Sequence, residues 1–155
     1  MSSNNTPSGP PEALQDFLKS TLPFSELDDE TIAWLTRKCV IDFQPKGRRI
    51  MVRGSTIMDH LLIIQRGGVR LFVGDETNDT LLDLKGNGES LGELSLLKDG
   101  PTDFDAETVE DTFFVKMHKD AFLKIMKDRP CIAHYYLKTF SSNYLDKAFS
   151  EMGRR

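Results

Sequence analysis

At 155 residues with 39% hydrophobic content, the chain can bury one domain-sized core and little more. Its formal net charge of −4 repels phosphate polymers, so the overall charge points neither to nucleic acid nor to a membrane surface. Cys39 and Cys131 stand far apart with no CxxC spacing and no signal-like apolar segment before them, which fits a reduced, cytoplasmic protein, and no stretch is long and apolar enough to span a bilayer.

Residues 1–11 are rich in Ser, Asn, Thr and Pro without apolar periodicity and read as a disordered leader. The remainder, 12–153, reads as a single domain. Its first part, 12–39, is helical: Ala13, Leu14, Phe17 and Leu18 recur at helical spacing, and Leu22-Pro23-Phe24 ends that pattern. A second helix follows, with Ser25 or Asp28 as its cap, Glu30 in its first turn, and Ile32, Trp34 and Leu35 on its buried stripe.

From 40 to 117 the period shortens to that of strands. Runs at Val40–Phe43, Arg49–Val52, His60–Gln65, Val69–Val73, Thr80–Leu84, Phe104–Val109 and Thr112–Met117 are separated by glycine-rich turns. Many short strands of this kind make a sandwich or rolled barrel. The clearest hairpin sets Leu61–Gln65 against Val69–Val73 across Arg66-Gly67-Gly68, and the unbroken Leu61–Ile64 run predicts a strand covered on both faces. From 119 to 152 the helical period returns, with a restart at Asp128-Arg129-Pro130, where Asp128 can cap and Pro130 fits the first turn. The last helix carries a wide apolar face that includes Ile132, Tyr135, Tyr136, Phe140 and Phe149, and this face can cover either a pocket or a second subunit. The class is therefore α+β and mainly β: an antiparallel, jelly-roll-like β-roll flanked by N-terminal helices and a long C-terminal helix.

The segment from Asn87 to Pro101 carries the most chemical information. Gly92-Glu93-Leu94-Ser95-Leu96 opens a turn of helix and Gly100-Pro101 leads out of it, so free backbone N–H groups are offered to an anion. The residues that follow are Thr102-Asp103-Phe104-Asp105-Ala106-Glu107, with no arginine to grip two phosphate oxygens. Strand alternation places Thr102, Phe104, Ala106 and Thr108 on the inner face and Asp103, Asp105 and Glu107 toward water. Ser90-Leu91-Gly92-Glu93 also matches a capping box, in which Glu93 returns to the Ser90 backbone and needs no ligand. His60, His118 and His134 lack HxH or HxxxH spacing, so no metal site is expected. No nucleophile elbow or acid/base motif is present, so neither catalysis nor a cofactor is expected. The acid run from Asp103 to Asp111 reads as a solvated face.

Taken in order, Pro23-Phe24-Ser25-Glu26-Leu27, Asp59 to Val69, Gly92-Glu93-Leu94-Ser95-Leu96-Leu97 and Val109-Glu110-Asp111-Thr112 resemble the cyclic-nucleotide-binding domain family over roughly Phe17 to Phe149. That is the family of the catabolite activator protein and the regulatory subunit of protein kinase A. The resemblance implies that Gly92, Glu93, Leu94 and Ser95 form the phosphate cassette and that Glu93 meets a ribose hydroxyl. It also implies that Thr102, or Asp103 with a one-residue slip, stands where the family's arginine holds the phosphate. The expectation is a regulatory sensor domain with a degenerate cassette, for which a cyclic nucleotide such as cyclic AMP is the candidate ligand and ordinary cyclic AMP and cyclic GMP bind weakly or not at all. The alternative is a ligand-free interaction or dimerisation module of the same fold.

A second likeness, to the first domain of bacterial multidomain signalling proteins with cystathionine-β-synthase-type and nucleotidyltransferase-like domains, implies an output domain in a longer chain. Homodimerisation through the C-terminal helix is a further expectation. With no residues after that helix for a helix-turn-helix, neither nucleic acid nor membrane is expected as a partner.

Overall fold

The computed structural model describes residues 10–74 and 78–139. Its elements run in the order α1 (Pro10–Lys19), α2 (Asp29–Thr36), β1 (Cys39–Gln44), β2 (Arg49–Met51), β3 (His60–Arg66), β4 (Val69–Gly74), β5 (Asp79–Lys85), β6 (Ser90–Leu91), α3 (Glu93–Lys98), β7 (Asp105–Thr108), β8 (Thr112–His118) and α4 (Lys119–Asp128). A further helix, α5, occupies 130–139. Most of the expected leader, and the last helix beyond 139 with Phe140 and Phe149, lie outside the described residues.

The N-terminal helices follow from local chemistry. A short 3-10 turn at Phe24–Glu26 separates α1 from α2 and buries Phe24. Asp28, rather than Ser25, caps α2: its carboxylate accepts from the Thr31 N–H at 3.2 Å and the Thr31 hydroxyl at 2.6 Å. Asp29 and Glu30 then sit in the first turn, where the helix dipole favours negative charge.

Two antiparallel four-stranded sheets form the roll, in the orders β1-β8-β3-β6 and β2-β7-β4-β5. In the first, Cys39 lies opposite Met117 and His60 opposite His118. In the second, Val69 lies opposite Thr108 and Lys85. The expected β3–β4 hairpin is therefore corrected: β3 pairs with β8 and β6, whereas β4 pairs with β5 and β7, so Arg66-Gly67-Gly68 is a crossover between sheets. Gly67 permits it. At φ 126 it lies so close to β8 that a Cβ would be 2.4 Å from Thr112 Oγ1.

The Leu61–Ile64 run is buried throughout, as a strand covered on both faces requires. It joins one core with Leu18, Leu35, Phe114, Phe122, Ile132 and Tyr136, each such side chain contributing on the order of 1.5–3 kcal/mol on burial. The restart after α4 is present, but Asp128 does not cap α5. It ends α4 and accepts from Lys124 Nζ at 2.9 Å, while Arg129 is extended (φ −128, ψ 96) and breaks the helical path. Ile132 and Tyr136 face the core from α5, whereas Leu137 is 64% exposed.

Candidate functional site

The segment singled out in the sequence folds as β6, a turn and the six-residue helix α3. Here the capping expectation is corrected. Ser90 is recruited by β3, pairing opposite Ile63, and the N-cap of α3 is Gly92 at φ 92. Gly92 also lies against Met58, where a Cβ would be 3.1 Å from Cε, so both conformation and space require glycine.

With Ser90 in a strand, its hydroxyl donates to the Glu93 carboxylate instead of forming the reciprocal backbone cap. Tyr136 Oη, reaching down from α5, stands 3.5 Å from Ser90 Oγ. Loss of solvation pushes the Glu93 pKa up; the Ser90 hydroxyl, the backbone N–H of Glu93 itself and, more weakly, the Lys85 charge oppose that shift. Burial, reinforced by the Glu93 carboxylate, raises the Tyr136 phenol as well. Glu93, Ser90 and Tyr136 thus form a polar cluster under α5. Sequence reasoning paired Ser90 with Glu93 in another geometry and left open what Tyr136 covers.

The remaining positions expected to form a cassette are held by structural contacts. Ser95 is 2% exposed; its hydroxyl accepts from the Met58 N–H at 3.0 Å and donates to the Gly100 carbonyl. Leu94 is half-buried. Thr102 is 4% exposed, with its hydroxyl 3.2 Å from the Phe104 carbonyl and 3.4 Å from that of Val52. The Thr102 backbone is fixed too, donating to Thr56 O and accepting from the Gly54 N–H, both at 2.9 Å.

The local cations are already engaged. Lys98 meets Asp103 at 2.8 Å, Lys119 meets Asp99 at 2.6 Å and Lys85 meets Asp83 at 3.5 Å. Among the described residues, no ion pair or hydrogen bond of the cassette involves an arginine.

The acids after Pro101 divide differently from the strand expectation. Asp103 is exposed and Glu107 is bound by Arg70, but Asp105 is only 7% exposed. Its carboxylate accepts from the Arg53 N–H at 3.0 Å and the Gly74 N–H at 3.4 Å, with Arg49 at 3.7 Å. Strand β7 begins only at Asp105, so the alternation counted from Thr102 does not hold at its start.

The fold does bring two of the histidines together. His60 and His118 stack edge-on with ring centroids 5.3 Å apart, and His60 Nδ1 is 2.9 Å from Asp59. Among the described residues no cluster of three metal-ligating side chains forms, and no helix is long and apolar enough to cross a membrane.

Comparison with known proteins supplies the family. The chain is 33% identical over 93 residues to the cyclic AMP receptor protein of Thermus thermophilus, and 28% identical over 141 residues to a CRP-like cAMP-activated global transcriptional regulator of Mycobacterium tuberculosis. These alignments cover 58% and 85% of the chain but only 42% and 62% of the relatives, so the chain spans less than two thirds of their length. The crystal structure of the Thermus thermophilus catabolite activator protein superimposes with a TM-score of 0.69 at 28% identity, over 83% of this chain and 60% of that one. The family model for the cyclic nucleotide-binding domain matches residues 43–129, and the chain belongs to that regulatory, ligand-binding family.

Proposed function

We propose that this chain is a regulatory sensor domain whose cassette keeps the family's backbone frame and lacks its phosphate clamp, so that ordinary cyclic AMP and cyclic GMP bind weakly or not at all. The observation that carries the reading is Thr102. A short neutral side chain, buried and hydrogen-bonded to the carbonyls of Val52 and Phe104, stands where a phosphate would need a guanidinium. The nearby lysines are committed to Asp83, Asp99 and Asp103. Sensing would use contacts from Gly92 to Thr102 that differ between two positions of α5, because only differential contact shifts a population. The break in helical path at Arg129, whose backbone is extended, would be where that helix pivots. The domain would act in the cytoplasm through an output domain in a longer chain, of the multidomain bacterial signalling kind, and dimerise through its C-terminal helix, on which Leu137 is exposed.

The second reading, a ligand-free interaction module, draws on the Ser90–Glu93–Tyr136 cluster: a ligand that used Glu93 would have to displace the Ser90 hydroxyl from it. Calorimetric titration with cyclic AMP, cyclic GMP, cyclic dinucleotides and AMP, run on the chain and on Thr102→Arg, separates the two. A regained bidentate arginine is worth on the order of 2–5 kcal/mol in an enclosed site, so an intact frame predicts at least about a tenfold gain for cyclic AMP. A folded Thr102→Arg variant that gains nothing would favour the interaction module.

A further inference from the structure

Outside the cassette, the most unusual surface is the segment Lys46-Gly47-Arg48-Arg49-Ile50-Met51-Val52-Arg53, which holds four cations and no acid in a chain of net charge −4. Lys46, Arg48, Arg49 and Arg53 are all exposed. Elsewhere Arg70, Lys98, Lys119 and Lys124 each meet a carboxylate. Among the described residues Lys46, Arg48 and Arg53 form no ion pair, and Arg49 reaches only Asp105, at 3.7 Å. That carboxylate is already held by the Arg53 and Gly74 N–H groups. The strip therefore carries positive charge that the fold does not neutralise.

Its setting adds shape. Strand β2 is the edge of its sheet, paired with β7, and an edge strand can take a further strand beside it. An open hollow of about 570 Å³ lies to one side, lined by Arg49, Val52, Arg53 and Phe72 together with Asp79 and Asp105. A second, of about 310 Å³, is lined by Arg48, Arg49 and Ile50. Phe72 is 1% exposed and lies under the guanidinium groups of Arg70 and Arg49, 3.9 and 4.9 Å from its ring centre. Val52 and Ile57 offer exposed apolar surface beside the charges.

We propose that the β2 edge and its flanking hollows are a docking surface for an extended acidic segment of a partner protein. The segment would add backbone pairing to β2, set carboxylates opposite Arg48, Arg49 and Arg53, and lay an apolar side chain on Val52. A peptide fits better than nucleic acid. Asp79 and Asp105 line the first hollow and Asp42 and Asp59 the second, so an unbroken run of phosphates would meet carboxylates that discrete side chains can avoid. The net charge of −4 also weakens long-range attraction for a phosphate polymer, and an edge strand offers pairing that only a polypeptide can use. Because the Gly54 N–H and the Val52 carbonyl both bond to Thr102, the docked strip touches the cassette.

The test is a ¹⁵N–¹H NMR titration of the full chain with an octapeptide carrying glutamate at alternate positions and valine, threonine and serine between them. A lysine-for-glutamate peptide and an oligothymidylate serve as controls. The expected result is saturable shifts centred on 47–57 for the acidic peptide alone, with affinity falling at least about tenfold as salt rises severalfold. Arg48→Glu/Arg53→Glu should abolish the shifts. Arg48→Gln/Arg53→Gln, which places no new acid beside Asp105, should remove most of them. Absence of shifts, equal response to the lysine peptide, shifts centred elsewhere, or tighter binding of oligothymidylate would overturn the proposal.

Discussion

Replacing Gly92 by alanine separates two costs that meet at one position. At φ 92 an L side chain leaves its favoured range, a penalty of about 1–2 kcal/mol. The new Cβ would also lie 3.1 Å from Met58 Cε and 3.3 Å from Met58 Cγ. Met58 is 9% exposed, so it must shift within packed surroundings, at an overpacking cost of about 1–3 kcal/mol. The sum, about 2–5 kcal/mol, lowers Tm by about 4–20 °C at roughly 2–4 °C per kcal/mol for a chain of this size. Gly88 provides the control: its φ is 86 and nothing lies within 4 Å of an added Cβ, so Gly88→Ala carries the backbone term alone. Thermal and urea unfolding followed by far-ultraviolet circular dichroism reads both. If Gly92→Ala costs no more than Gly88→Ala, the close approach to Met58 is not a constraint. If it falls within about 0.5 kcal/mol of the parent, both terms are refuted.

Glu93→Gln is expected to stabilise the chain at neutral and alkaline pH. The folded-state pKa of Glu93 is raised by burial, so its contribution to stability is most favourable below the unfolded-state pKa and is lost as pH rises through the folded value. Urea midpoints measured across pH 4–8 should therefore fall with rising pH more steeply in the parent than in the variant; parallel slopes would sink this account. Ser95→Ala removes the hydroxyl joining the Met58 N–H to the Gly100 carbonyl and should cost about 1–3 kcal/mol, read from the same curves, because a buried donor loses its partner. A loss near zero would mean that Met58 finds another acceptor.

The strands were legible because turn glycines and apolar runs are local signals. His60–Gln65 and Val69–Val73 lie within one residue of β3 and β4. Their partners were not legible. Arg66-Gly67-Gly68 has the composition of a tight turn, and only the approach of Thr112, distant in sequence, makes it a crossover. Asp105 misled for the same reason: its donors at Arg53 and Gly74 lie 52 and 31 residues away, and no alternation rule could supply them. The Ser90-x-x-Glu93 pattern is that of a capping box, but pairing with Ile63 draws Ser90 into a strand and turns a cap into a side-chain contact. The short helix at Glu93–Lys98 and the neutral Thr102 were both readable from residue type. The commitment of each nearby lysine to a carboxylate was not, since it depends on side chains that the fold brings together.

The central claim, a cassette frame without its phosphate clamp, is tested most directly by titrating the unmodified chain with cyclic AMP in a calorimeter at physiological salt. The account predicts no saturation below about 100 μM, since the bidentate contact that ordinarily contributes several kcal/mol is missing. Saturable binding at low micromolar concentration, one ligand per chain, would contradict it and would require another group to hold the phosphate.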